Sequence, residues 1–212
     1  MPDVVIYELG PSPNNMKVRI ALNYKGISFD KVAVAFDDAE RKDVVEVSGQ
    51  PLTPVLKHGD SVIFDSGAIL RYIDATFRDG PQLFFADRER MREAEDLEKW
   101  ARSTLSEPVG IVFNECMSSD PDLAACERAS AMLHEATAQI ESRLESSPWL
   151  MGEHMSVVDI TAAPTMFYGV VPEAMISSHP EMPLQFFYDN LKLGEGREPT
   201  REWCMRVMAY DR

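Results

Sequence analysis

Short apolar runs separated by glycine, proline and charged residues mark the first third of the chain. These runs lie at residues 4–7, 29–36, 55–56 and 62–64, and their lengths and boundaries are typical of β-strands. The last two flank the turn His58-Gly59-Asp60 and contain few polar positions. We therefore predict four strands, and we expect the last two to be covered on both faces.

Helical periodicity fills the intervals between these strands. Apolar residues recur at three- and four-residue steps over residues 16–25 and again over residues 66–77. Gly26 follows the first of these helices, as expected of a C-terminal cap. The charged residues 37–47 can hold a third, short helix. The predicted order is β-α-β-α-β-β-α, a thioredoxin-like arrangement whose first two strands run parallel because a helix connects them.

Strand patterns disappear after residue 88, and helical patterns replace them. Pro108 interrupts the first helical pattern, where we expect a kink. Asp120 and Pro121 mark the start of the next helix, and Ser156 with Asp159 forms a capping-box pattern. The main helices are expected at residues 88–116, 121–144, 184–191 and 200–210.

This change of pattern predicts an α+β protein with two domains. The Asp-Gly-Pro sequence at residues 79–81 ends the preceding helix. We therefore predict a thioredoxin-like domain at residues 1–78, a linker at residues 79–87 and an all-α helical domain at residues 88–212.

Composition narrows the classes of partner. The 212 residues carry a formal net charge of −14, from 35 acidic and 21 basic side chains, which disfavours nucleic acid and anionic membrane surfaces. The three cysteines are widely spaced and form no Cys-x-x-Cys pair, as is typical of a reducing compartment. The start of the chain has no basic, apolar leader pattern and no long apolar run follows. A cytoplasmic protein without a membrane span is expected.

Two positions near residues 53–66 invite a chemical interpretation. If the Thr53-Pro54 bond is cis, the backbone of Thr53 faces outward and can pair with an extended peptide; an ordinary trans proline opening a strand is the alternative. Asp65 and Ser66 open a helix, where N–H groups and the dipole attract an anion and the aspartate can hold an ammonium group. The alternative there is a plain helix cap.

These pieces together resemble the glutathione-binding domain of cytosolic glutathione transferases, which has a cis-proline strand, a hairpin and an acidic-Ser pair at a helix start. The resemblance implies that Thr53, which precedes Pro54, pairs with the cysteinyl backbone of glutathione. It also implies that Asp65 and Ser66 hold the γ-glutamyl end. In that family the Ser-x-x-Asp pattern at a later helix is a folding device.

Ser12 is the candidate catalytic residue. It precedes a predicted helix, where the positive end of the dipole favours a thiolate. Residues 12–22 resemble the serine-type classes of the family, above all the tau class, so the resemblance places Ser12 at the catalytic serine position. The alternative is a loop serine that bonds its own backbone. Asn14 is a second possible donor, and Tyr7 is a rival hydroxyl expected to be packed.

The loop before Thr53 departs from the family pattern. Ser48-Gly49 stands where an Asn-Pro is usual, and Leu52 stands where a polar residue is usual. Gln50, Arg41 and Lys42 are candidates for the glycyl carboxylate of glutathione, although solvation at the surface is the expected role of the two basic residues.

The resemblance implies a homodimeric glutathione transferase that acts in detoxification, with glutathione as co-substrate, no metal, and a hydrophobic electrophile as second substrate. Other glutathione-dependent reactions on this scaffold, isomerisation or dehalogenation, stay open. A non-catalytic relative that binds a protein is a further alternative, which the departures at Ser48-Gly49 and Leu52 favour. His134-Glu135 begins a zinc-protease pattern, but Ala138 occupies the second histidine position, and His58, His154 and His179 lack ligand spacing. We expect the co-substrate pocket between the domains, with these lining candidates: Pro11, Phe36, Trp100, Phe113, Met117 and Phe167.

Overall fold

The computed structural model describes residues 3–178 and 183–212, without the side chain of Ser178. His179 and part of the proline-rich tract before Pro183 lie outside the described residues. The chain forms two compact units, Met1–Phe85 with Ala209–Arg212, and Ala86–Met208. The domain limits given above stay predictions, except that residues 209–212 group with the first unit and not with the helices.

The first unit is built on a four-stranded mixed sheet. Its spatial order is β2-β1-β3-β4; β1 pairs with β2 in parallel and with β3 antiparallel, and β3 pairs with β4 antiparallel. The order of elements along the chain and the parallel pairing of the first two strands are as predicted, and the α+β fold class is confirmed. The strands are β1 (Val4–Glu8), β2 (Asp30–Ala33), β3 (Val55–His58) and β4 (Ser61–Phe64). The helices are α1 (Pro13–Tyr24), α2 (Lys42–Ser48) and α3 (Ser66–Thr76), with a 3₁₀ turn at Asp38–Glu40.

The last strand is not covered on both faces, so that expectation was wrong. β4 lies at the edge of the sheet, and Val62 and Phe64 are 37% and 51% exposed. Val55 and Leu56 of β3, which lies between two strands, are fully buried. An apolar run shows that a segment favours strand conformation, but its burial depends on its place in the sheet.

The regular structure of the second unit, as far as its residues are described, is helical. A single π-helical turn, Ala101–Leu105, joins two helices just before Pro108, so the predicted interruption takes this form. Proline lacks the N–H that a regular turn needs, and π turns absorb such a mismatch. The helices are α4 (Arg88–Trp100), α5 (Ser106–Cys116), α6 (Leu123–Ala136), α7 (Ala138–Leu144), α8 (Val157–Met166), α9 (Glu173–Ser178), α10 (Leu184–Asn190) and α11 (Glu198–Met208), with a 3₁₀ turn at Phe167–Gly169.

One predicted helix of this unit is two helices. Its start is capped by the Asp122 carboxylate, which accepts from the Ala125 N–H, and not by Asp120. It divides at Thr137, whose buried hydroxyl donates to the carbonyl of His134 and accepts from the Arg197 Nε. Such local bonding of threonine competes with regular helix geometry.

The predicted capping box at the start of α8 is present. The buried carboxylate of Asp159 accepts from the N–H groups of Leu150 and Ser156, from the Ser156 hydroxyl and from the Trp203 indole, at 2.8–2.9 Å. Burial raises the pKa of this carboxyl above its ordinary value, against the opposing effect of the four hydrogen bonds. Asp159 thereby connects α8, the preceding loop and α11.

Candidate functional site

Ser12 lies at the N-cap position of α1 with an extended backbone, but its side chain does not cap the helix. Its carbonyl accepts from the N–H groups of Asn15 and Met16, each at 2.9 Å. Within residues 3–178 and 183–212, the Ser12 hydroxyl has no hydrogen-bond partner. The interpretation of Ser12 as a serine that bonds its own backbone therefore does not match the structure, and the hydroxyl is available to a ligand.

Two asparagines tie the start of α1 to the other predicted site segments. Asn15 is fully buried; its Oδ1 accepts from the Leu9 N–H and its Nδ2 donates to the Thr53 hydroxyl, each at 3.2 Å. Asn14 accepts from the Ser66 hydroxyl at 3.4 Å. Asn15 was not among the residues predicted from the sequence, because a polar residue on the first turn of a helix gives no signal of burial.

Thr53 lies just outside the sheet. Its peptide bond to Pro54 is cis, the first of the two alternatives above. The β1–β3 ladder ends at the pair Tyr7–Val55, so the Thr53 backbone takes no part in it. Tyr7 lies within this ladder and is half-buried, which leaves Ser12 as the hydroxyl at the helix start.

Asp65 and Ser66 stand at the start of α3. The Asp65 carboxylate accepts from the Ala68 N–H at 2.9 Å, so the residue is a helix cap. Its backbone φ is 67°, and among the described residues it alone combines a positive φ with a side chain other than glycine's. Strained residues of this kind cluster at binding sites. Ser66 is buried, and its hydroxyl donates to Asn14. Asp65 and Ser66 together bring a carboxylate and a hydroxyl to the start of α3.

Two of the three candidates for the glycyl carboxylate are engaged within the protein. Gln50 folds onto its own loop, where its amide accepts from the N–H and donates to the carbonyl of Leu52. Arg41 is buried and not solvated as expected, because its guanidinium donates to the carbonyls of Ala35, Phe36 and Pro51. Of the three candidates, only the exposed Lys42 is not committed to such a network.

The two departures in this loop have separate roles. Gly49 adopts a left-handed conformation, with φ of 75°, and ends α2, which explains glycine at that place. The Ser48 hydroxyl donates to the carbonyls of Val44 and Gln50. Leu52, by contrast, is 64% exposed.

A buried charge network lies beside the Ser12 loop. The Arg19 guanidinium pairs with Glu8, donates to both oxygens of Asp211 at 2.6 and 2.9 Å, and donates to the Gly10 carbonyl at 3.0 Å. Burial by itself lowers the pKa of Arg19, but Asp211 and Glu8 raise it above its ordinary value overall. The positive charge is therefore retained, and it fixes the end of β1 and the loop to α1.

The remaining sequence candidates divide by burial. Phe167 is a core residue, whereas Phe36, Phe113 and Met117 are exposed.

Two of the cysteine thiols are poor nucleophiles. Burial raises the pKa of the Cys204 thiol, and burial with nearby acidic groups raises the pKa of the Cys126 thiol. Neither thiol is activated. No cluster of three or more His, Cys, Asp or Glu within the described ranges could hold a metal ion, and no helix there is long and apolar enough to cross a membrane.

Comparison with known proteins places this geometry in a family. The family model "Glutathione S-transferase, N-terminal domain" matches residues 6–81. Glutathione S-transferase F10 of Arabidopsis thaliana is 30% identical over 164 residues, which is 72% of this chain and 75% of the relative. The chain belongs to the cytosolic glutathione transferase family. FtsZ-localized protein A of Caulobacter vibrioides is 31% identical to this transferase-family chain over 175 residues, 76% of each protein.

Solved transferase structures have the same fold. The theta-class glutathione S-transferase of Xanthomonas axonopodis pv. citri, solved with glutathione bound, superimposes with a TM-score of 0.71 at 21% identity, over 97% of this chain and 92% of that one. This likeness covers nearly the whole chain and supports the assignment of the glutathione transferase fold. The roles of individual residues depend on the geometry described above.

Proposed function

We propose that this protein is a glutathione transferase in which the Ser12 hydroxyl stabilises the thiolate of glutathione for attack on a hydrophobic electrophile. The observation that carries the proposal is the hydroxyl of Ser12, which stands at a helix start without a hydrogen-bond partner in the described chain. The side chains of Asn15 and Asn14 bond the same helix start to Thr53 and Ser66.

The donor set fits a γ-glutamyl tripeptide. The Thr53 backbone, outside the ladder, offers an N–H and a C=O to the cysteinyl residue. The α3 start and the Ser66 hydroxyl suit the γ-glutamyl carboxylate, while Asp65 suits its ammonium group. Lys42 is the remaining candidate for the glycyl carboxylate. Glutathione supplies the nucleophilic sulfur when bound, and the hydrophobic electrophile is expected beside that sulfur.

The contribution of Ser12 follows from the energetics of thiol ionisation. A free thiol has a pKa of about 8.5, and each unit of decrease corresponds to about 1.4 kcal/mol. A charge-assisted hydrogen bond contributes about 1.5–3 kcal/mol, which accounts for one to two units. The start of α1 adds a smaller stabilisation because Pro13 contributes no N–H.

The test is catalysis by the wild type and a Ser12→Ala variant with a chlorinated nitroaromatic electrophile. We expect kcat/KM to decrease by about 10- to 100-fold, the kinetic equivalent of one lost charge-assisted hydrogen bond. Calorimetry should show that glutathione binding is largely retained. If the variant turns over as fast as the wild type, Ser12 has no part in the mechanism. If the wild type turns over only isomerisation or dehalogenation substrates, the reaction is one of these and not conjugation.

A protein-binding role is the second candidate, favoured by the likeness to FtsZ-localized protein A and by the exposed Leu52. In this role the glutathione groove serves no reaction. A glutathione-affinity column separates the two candidates, because folded protein that passes through it unbound favours the second. Co-pelleting with FtsZ filaments then tests the partner that the name of the relative indicates. Sedimentation tests the homodimer that we also propose.

A further inference from the structure

Asn15 is buried and hydrogen-bonded within the protein, although it lies next to the proposed catalytic serine. It is fully buried on the first turn of α1, three residues after Ser12. Both ends of its amide are used: one accepts from the Leu9 N–H and the other donates to the Thr53 hydroxyl. A buried amide with both ends satisfied is stabilising and highly directional.

The two partners of Asn15 belong to the two halves of the proposed site. Leu9 begins the loop that carries Ser12, and its carbonyl accepts from the Ser12 N–H at 3.2 Å. Thr53 is the residue whose backbone is proposed to pair with the tripeptide. The Asn15 side chain is therefore bonded both to the loop that carries the Ser12 hydroxyl and to Thr53, where the tripeptide is proposed to bind.

We propose that Asn15 is a positioning residue, which holds the Ser12 loop in register with Thr53 so that the sulfur of a tripeptide docked at Thr53 meets the Ser12 hydroxyl. The inference rests on the proposed transferase function and adds a residue to it. Misplacement of a reacting group by about 1 Å can lower a rate by about 100-fold. The effect of Asn15 is therefore expected mainly in kcat and in the ionisation of the bound thiol.

Asn23 provides a matched control on the same helix. It is also an asparagine of α1 with a tethering role, because its amide donates to the Tyr210 carbonyl at 2.9 Å. Its partner belongs to the last residues of the chain and not to the site. Asn23→Ala should lower stability without changing the kinetics, so it measures what loss of a tether does by itself.

The experiment compares Asn15→Ala, Thr53→Val, the double variant and Asn23→Ala. The measurements are kcat, KM for glutathione, the pKa of the bound thiol from its ultraviolet thiolate absorbance, and the midpoint of urea unfolding. We expect Asn15→Ala to lower kcat by about 10-fold or more and to raise the pKa of the bound thiol. Thr53→Val removes the hydroxyl that accepts from Asn15 but keeps the bond between Asn15 and Leu9. It should reproduce a large part of the effect of Asn15→Ala. The double variant should be no worse than Asn15→Ala.

Several outcomes would overturn the inference. If Asn15→Ala only lowers the unfolding midpoint, with kcat and thiol pKa like those of Asn23→Ala, then Asn15 is a structural residue. If Asn15→Ala does not fold, Thr53→Val decides, and wild-type kinetics in that variant reject the role. A wild type that conjugates normally beside unaffected variants rejects this inference alone. A wild type that binds no glutathione in calorimetry rejects the proposed function and this inference together.

Discussion

Two helix starts, at Ser12 and Ser156, have the same local plan and opposite uses. Each serine is an N-cap with an extended backbone, with ψ of 126° at Ser12 and 176° at Ser156. Each is followed three residues later by an amide or carboxylate side chain. Asp159 turns back to bond the N–H and hydroxyl of Ser156, whereas Asn15 turns away to Leu9 and Thr53. The first arrangement is closed, and the second leaves the Ser12 hydroxyl available.

The difference shows how to distinguish a serine that stabilises a helix start from a serine whose hydroxyl is available to a ligand. A cap whose hydroxyl is bonded within its own box contributes to stability and has nothing to offer a ligand. A cap position whose third residue is committed elsewhere leaves a polar group at the positive end of a helix, where an anion is favoured. Sequence spacing alone does not separate the two arrangements.

The largest effect is expected at the closed start. Asp159→Ala should lower the free energy of unfolding by about 3 kcal/mol or more, because it leaves several buried donors without an acceptor. Urea unfolding measures this loss. Asp87→Ala is the control, since Asp87 also caps a helix but is exposed, and its loss should be about 1 kcal/mol. Equal losses in the two variants would contradict the importance of the buried network.

The next effect is a crossed pair of serine variants. Ser156→Ala should lower the free energy of unfolding by about 1–2 kcal/mol and leave kcat/KM unchanged. Ser12→Ala should change the unfolding free energy by less than about 0.5 kcal/mol, because no bond is lost, while kcat/KM falls. Urea unfolding and steady-state kinetics on both variants provide the test. A comparable stability loss in Ser12→Ala would show that its hydroxyl is engaged after all.

The smallest effect is expected at Asp65, whose helix start combines both uses. Asn accepts the Ala68 N–H as Asp does and tolerates a positive φ, so Asp65→Asn should change stability by less than about 0.5 kcal/mol. Loss of the negative charge should raise KM for glutathione by about 5-fold, the size typical of an exposed ion pair. An unchanged KM would indicate that the ammonium group does not bind at Asp65.

The sequence predicts the elements of the first unit well because local chemistry defines them. Glycine and proline bound β3 and β4 so closely that only a hairpin fits between Pro54 and Asp65. The capping box at Ser156 is equally local, since its two residues are three apart. In both cases the residues that determine the structure lie within one turn or one strand of each other.

Features that depend on distant contacts were not predictable. Arg41 was expected to be solvated, but its guanidinium donates to the carbonyls of Ala35, Phe36 and Pro51, which lie in two different loops. The tether from Asn15 to Thr53 spans 38 residues, and no periodicity reports such a pairing. The exposure of Phe64 depends on β4 being an edge strand, which only the assembled sheet reveals.

The ion network around Arg19 has a consequence for attempts to divide this protein. Arg19 and its partner Asp211 are 192 positions apart, yet both belong to one compact unit. A fragment that stops at residue 85 would keep the guanidinium and Glu8 but lose the bidentate carboxylate. The smallest faithful version of the first unit is therefore not a continuous piece of the polypeptide, and a version expressed alone should include residues 209–212 as well.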